Sequence, residues 1–127
     1  MISQTILIVD DERPIREMLR RLLTDAGYQV HEAANGEEAV VLFTNHNGAF
    51  DLVITDITMP HMTGQELARH VWEQKPGMKI LYISGDADET TLQRDLNAFS
   101  AFLPKPFTFQ EFFTKVHSLL KPSNEAS

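Results

Sequence analysis

Five residues of this chain are of types that could do chemistry together: Asp10, Asp11, Asp56, Ser84 and Lys105. Each lies at or just past the end of a short apolar run. Ile6 to Val9 precedes the acid pair, Phe50 to Thr55 leads into Asp56, Met78 to Ile83 into Ser84, and Ala101 to Leu103 into Lys105. Runs this short and apolar read as strands buried on both faces of a parallel sheet, and such sheets bind ligands in the crevice at their carboxyl ends. If the first and third strands are neighbours, three carboxylates share that crevice. Two of them about 4 Å apart repel by roughly 4 kcal/mol at an effective dielectric near 20, a cost that a bound cation removes. The ligands on offer are all oxygens, which suits a hard ion such as Mg²⁺ better than Zn²⁺. A carboxylate can also attack phosphorus and become an acyl phosphate. A cation and an ammonium group then offset charge on the transferring oxygens, while a hydroxyl donates to one of them. On this reading Asp56 is the nucleophile, Lys105 and Ser84 contact the phosphoryl group, and the acids hold the ion.

Each residue alone has a plainer explanation. Asp10, Asp11 and Glu12 could be acids at a helix N-terminus, where the helix dipole favours them. Asp56 could simply start a turn before Pro60. Ser84 could cap a helix, and Lys105 could be a solvated loop lysine. It is their convergence at four strand ends that points to a site. The five histidines show no metal-ligand spacing. His61, just past the Asp56 loop, is placed where it could tune access.

The elements that must position these residues alternate. After the first strand, Pro14 suits a first helical turn, and Ile15, Met18, Leu19, Leu22, Leu23 and Ala26 form a helical stripe that Gly27 ends. Tyr28 to Ala33 reads as a more polar strand near an edge. Asn35 with Glu38 starts a second helix. Thr63 with Glu66 and Thr108 with Glu111 are capping-box patterns for the third and last helices. Asp86 to Phe99 carries a thin stripe, Leu92, Leu96 and Phe99, and is expected to be the fourth helix. Phe109 and Phe113 belong to the last helix, either in the core or on a partner surface. The alternation predicts an α/β fold, (βα)5 with a parallel sheet.

The whole chain has 127 residues, enough for one domain, with 122–127 expected as a polar tail. A net charge of -7 argues against direct nucleic-acid binding. There is no cysteine, no apolar run near the roughly 20 residues of a membrane span, and no signal-like N-terminus, so a cytoplasmic location is expected.

In combination, these motifs resemble the receiver domain of two-component response regulators. The matching pieces are Ile6-Leu-Ile-Val-Asp-Asp-Glu12, Asp51-Leu-Val-Ile-Thr-Asp-Ile-Thr-Met-Pro60, Gly64, Ser84-Gly85 and Lys105-Pro106-Phe107. The resemblance covers about residues 5 to 121 and implies a receiver domain over 3–121, a flavodoxin-like, doubly wound (βα)5 three-layer sandwich with sheet order 2-1-3-4-5. It further implies phosphate transfer to Asp56 from a histidine of a sensor kinase or phosphotransfer protein. Asp11, Asp56 and the backbone carbonyl of Thr58 would hold Mg²⁺ directly, with Asp10 acting mostly through water. Ser84 would shift toward the phosphoryl group and Phe102 would be the aromatic switch. The face of the fourth helix, fifth strand and fifth helix would then engage a downstream protein, the chain being a monomer or weak dimer. The Lys105–Pro106 peptide would be cis. Two positions depart from the family. Ala98-Phe99 stands where Gly-Ala is common, and Phe102 lacks the hydroxyl of the frequent tyrosine.

Such a domain is a signalling switch rather than an enzyme, although it catalyses its own phosphorylation and dephosphorylation. Its rivals are a phosphorylation-independent adaptor on the same fold, a flavin-binding protein, which would want a phosphate loop after the first strand, and a dehalogenase-type phosphatase, which would want Asp-x-Asp there.

Overall fold

The computed structural model describes residues 3–85 and 96–121. Five parallel strands run β1 (Thr5–Val9), β2 (Gln29–Ala33), β3 (Leu52–Asp56), β4 (Ile80–Ser84) and β5 (Ser100–Pro104). They form one sheet in the order β2-β1-β3-β4-β5. The described helices are α1 (Arg13–Asp25), α2 (Gly36–Asn45), α3 (Gly64–Gln74) and α4 (Phe109–Leu120). The last of these is the helix expected as the fifth.

The central strands β3 and β4 are buried at every residue, which is why they read as unbroken apolar runs. β2 is an edge strand, as its polarity suggested, and shows exposed or half-buried residues except at Ala33. On one face of the sheet, Leu19 and Leu23 of α1 and Phe112, Val116 and Leu119 of α4 pack on Ile6, Ile8, Ile54 and Ile83. On the other, Ala39 and Phe43 of α2 and Leu67, Ala68 and Val71 of α3 pack on Leu7, Val9, Val53 and Tyr82. This gives the three layers of the expected sandwich.

Helix ends follow the sequence signals. Thr63 and Thr108 each accept from the backbone N–H three residues on, and Glu66 and Glu111 reciprocate. The Asn35 side chain accepts from the N–H of Glu38 at 2.8 Å. Gly27, at φ 99°, turns the chain out of α1.

The fourth helix expected over Asp86–Phe99 falls for residues 86–95 outside the described residues, as does the tail 122–127. Its expected end is corrected: residues 96–99 are not helical. There the Asn97 side chain accepts from the N–H of Phe99 at 2.8 Å, and the N–H of Asn97 donates to Ser100 Oγ at 3.0 Å. Local side-chain bonds of this kind compete with the helical ladder. Among the described residues, no helix is long and apolar enough to cross a membrane.

Candidate functional site

Strand order does most of the assembly. β1 and β3 are hydrogen-bonded neighbours with Val9 opposite Thr55, so Asp10, one residue past β1, stands beside Asp56, the last residue of β3. Asp11 follows at the rim. Carboxylate oxygens of Asp10, Asp11 and Asp56 all lie within 4.8 Å of one another. Asp10 and Asp56 are buried, at 2% and 7% exposure, whereas Asp11 is exposed.

Lys105 arrives from beyond β5. Its Nζ stands 3.8 Å from Asp10 Oδ2 and 3.7 Å from Asp56 Oδ2, between the two acids and too far from either for a hydrogen bond. The loop carrying it is tied to the end of β4, because the N–H of Lys105 donates to the Ser84 carbonyl at 3.0 Å. Ser84 itself is buried. The Lys105–Pro106 peptide is cis.

Local backbone orients both buried acids. Asp10 Oδ1 accepts from the N–H of Glu12 at 2.8 Å, and Asp56 Oδ1 from the N–H of Ile57 at 2.8 Å. The electrostatics are unfavourable even so. Burial, above all, pushes the Asp10 carboxyl up to about 6; the Asp56 and Asp11 charges add to this, while the Glu12 N–H and Lys105 oppose it. Burial likewise raises Asp56, against Lys105 and the N–H groups of Ile57 and Thr58, and the Asp11 charge adds to the rise. Three crowded carboxylates beside one ammonium, with every donor an oxygen, fit a hard divalent cation.

The loop after Asp56 is held closely. Gly64 opens α3 where a side chain has no room: a Cβ there would lie 2.5 Å from the Asp56 carbonyl oxygen. Its N–H donates to the Ile57 carbonyl at 2.9 Å. Thr58 is exposed in this loop. His61, also exposed, sits at φ 69° in a tight turn closed by the Met62 N–H on the Pro60 carbonyl at 2.8 Å. It is not part of the acid cluster.

Phe102 lies mid-strand in β5, opposite Tyr82, half-buried and, like Leu96, packed against the core cluster that includes Tyr82. Phe109 is 61% exposed at the start of α4, while Phe113 packs on the core.

Sequence reasoning passed over one neighbour of the site. Arg16 Nη1 donates to the Asp10 carbonyl at 2.8 Å, and its Nε to Glu32 Oε1 at 3.2 Å. The available signal was an arginine on the otherwise apolar side of α1, two residues short of Met18.

Residues 6–117 match the family model described as the response regulator receiver domain. Among curated proteins, a stretch of the sensor kinase CckA of Brucella abortus (strain 2308) is 38% identical over 121 residues, 94% of this chain but 13% of that kinase. The chain spans about half the length of the curated response regulators it matches. Among solved structures, a response regulator receiver protein from Sinorhizobium medicae WSM419 superposes with TM-score 0.84 at 35% identity, covering 93% of this chain and 94% of that one. The response regulator TrrA of Thermotoga maritima, solved in complex with Mg²⁺-BeF, superposes with TM-score 0.80 at 36% identity, covering 93% and 100%.

Proposed function

Because this chain belongs to the response regulator receiver domain family, the phosphoacceptor switches of two-component signalling, we propose that Asp56 is its phosphoacceptor and that Asp10, Asp11 and Asp56 hold Mg²⁺. The observation that carries this reading is the meeting of three carboxylates and the Lys105 ammonium at the strand tips. Asp11, Asp56 and the Thr58 carbonyl would hold the ion directly, and Asp10 would act mostly through water. Bound Mg²⁺ supplies positive charge to the phosphoryl oxygens as they transfer.

The chain's own groups do the rest. An Asp56 carboxylate oxygen attacks the phosphorus of a phosphohistidine. The new O–P bond forms as the N–P bond breaks, and the imidazole leaves with the electron pair and takes up a proton. The N–H of Ile57, bonded to Oδ1, fixes which oxygen faces outward. Lys105, already between the acids, meets the incoming phosphoryl oxygens, and Ser84 donates its hydroxyl to one of them. The Ser84 carbonyl accepts from the N–H of Lys105, so movement at either residue reaches β5. Phe102, two positions before the end of that strand, repositions with it and alters the face formed by β5 and α4. The donor is a sensor kinase or phosphotransfer protein, and the reader is a downstream protein. The chain acts as a switch, with its phosphoryl chemistry serving the signal.

The test is incubation with acetyl phosphate and Mg²⁺, followed by intact-mass measurement. The parent chain is expected to gain one phosphoryl group, and Asp56→Asn none. Labelling that survives this change overturns the assignment.

A further inference from the structure

We propose that Arg16 is a positioning residue for the cation site: through the Asp10 carbonyl it sets the angle at which the Asp10–Asp11 peptide presents both carboxylates to Asp56. The proposal rests on the reading that these three acids hold Mg²⁺.

The acid pair lies off the end of β1, so the sheet ladder does not orient all of it. The N–H of Asp10 still bonds the Ala33 carbonyl at 3.2 Å, and its Oδ1 is held by the N–H of Glu12. Asp11 is different: among the described residues no hydrogen bond reaches its carboxylate, and its side chain is exposed. What places it is the preceding peptide. A peptide unit is planar, so the direction of the Asp10 carbonyl fixes the plane from which the Asp11 Cα departs. That carbonyl accepts from Arg16 Nη1 at 2.8 Å.

The guanidinium is itself anchored. Its Nε bonds Glu32 Oε1 at 3.2 Å on β2, and Arg20 Nε holds the other oxygen, Oε2, at 3.1 Å. Only 16% of the Arg16 side chain is exposed. One planar fork thus joins the acid loop, α1 and the edge strand. A lysine, with a single nitrogen, cannot reproduce that geometry.

The experiment is Mg²⁺ titration calorimetry on the parent chain, Arg16→Lys, Arg16→Met and Glu32→Gln, with thermal unfolding in chelator and the Mg²⁺ dependence of acetyl-phosphate labelling. Groups that orient metal ligands typically change metal affinity about 10- to 100-fold when removed. Both arginine variants are expected to bind Mg²⁺ about tenfold more weakly, and Glu32→Gln about threefold. Labelling at saturating Mg²⁺ should stay within about twofold of the parent, since the phosphoacceptor is untouched. Parent-like Mg²⁺ affinity in folded Arg16→Lys and Glu32→Gln overturns the proposal, whatever their melting temperatures. So does a labelling defect that saturating Mg²⁺ does not repair. If Arg16→Met fails to fold, those two milder variants decide the matter. A parent chain that binds no Mg²⁺ refutes the reading of the acids, and this proposal with it.

Discussion

Three lysines at the two ends of the sheet show how differently one residue type can be used. At the amino ends of the strands, Lys75 Nζ donates to the carbonyls of Gly48 at 2.8 Å and Phe50 at 3.1 Å, and Lys79 Nζ to that of Leu119 at 2.9 Å. These ammonium groups close the last turn of α4 and the entry to β3, satisfying carbonyls that a helix end or a loop would leave open. At the carboxyl ends, Lys105 stands 3.7 and 3.8 Å from two buried carboxylates and bonds neither. Stability is served by polar groups that are matched. At the proposed site, charged groups are held near each other with no hydrogen bond between ammonium and carboxylate, as at sites whose ionisation is displaced for chemistry.

The strongest way to break this contrast is at Lys105 itself. Lys105→Met should slow acetyl-phosphate labelling about tenfold or more, because charge on the transferring oxygens loses its ammonium partner. A rate equal to the parent's would place Lys105 with the ordinary loop lysines.

Next in size is the pH dependence. Asp10 titrates at about 6 rather than 3.8, so between those values the folded chain holds a proton that the unfolded chain has released. Stability should therefore rise as pH is lowered from 7 toward 5 in chelator, by about 1 kcal/mol from this group. Saturating Mg²⁺, which binds the ionised acids, should flatten that trend and raise stability at pH 7. Urea midpoints across the range measure both. A midpoint that falls on acidification in chelator contradicts the raised carboxyl.

Gly64→Ala should cost about 1 to 3 kcal/mol, from a Cβ forced against the Asp56 carbonyl. The smallest effect belongs to the other end of the sheet. Lys79→Met should lose about 1 kcal/mol through one carbonyl bond, with labelling unchanged. A labelling defect in that variant would blur the division between the two ends.

What could be read from the chain alone divides along similar lines. β3 and β4 were legible because a strand buried on both faces leaves no polar position to confuse the pattern. Both capping boxes were legible because their partners are three residues apart. Asp10, Asp11, Asp56, Ser84 and Lys105 could be gathered because topology brings strand tips together whatever the side-chain details. Arg16 was not legible: its meaning depends on Glu32, sixteen residues away and on another element. The Lys79 bond to Leu119, forty residues apart, was hidden for the same reason. The end expected at Phe99 failed because Asn97 and Ser100 offered the backbone a local alternative that periodicity does not register.

The contact at Gly64 has a mechanical consequence. With no side chain between them, the backbone of the acid-bearing strand and the first turn of α3 meet as solid parts, without slack to absorb movement. A nudge to the Asp56 carbonyl must be answered at the helix's opening turn. A rod of 11 residues, roughly 16 Å at 1.5 Å per residue, then carries that nudge to Trp72, whose indole N–H grips the Met78 carbonyl at 2.8 Å. The far pole of the domain is thereby joined to the Asp56 strand through a hydrogen atom where any other residue would have put a methyl group or more.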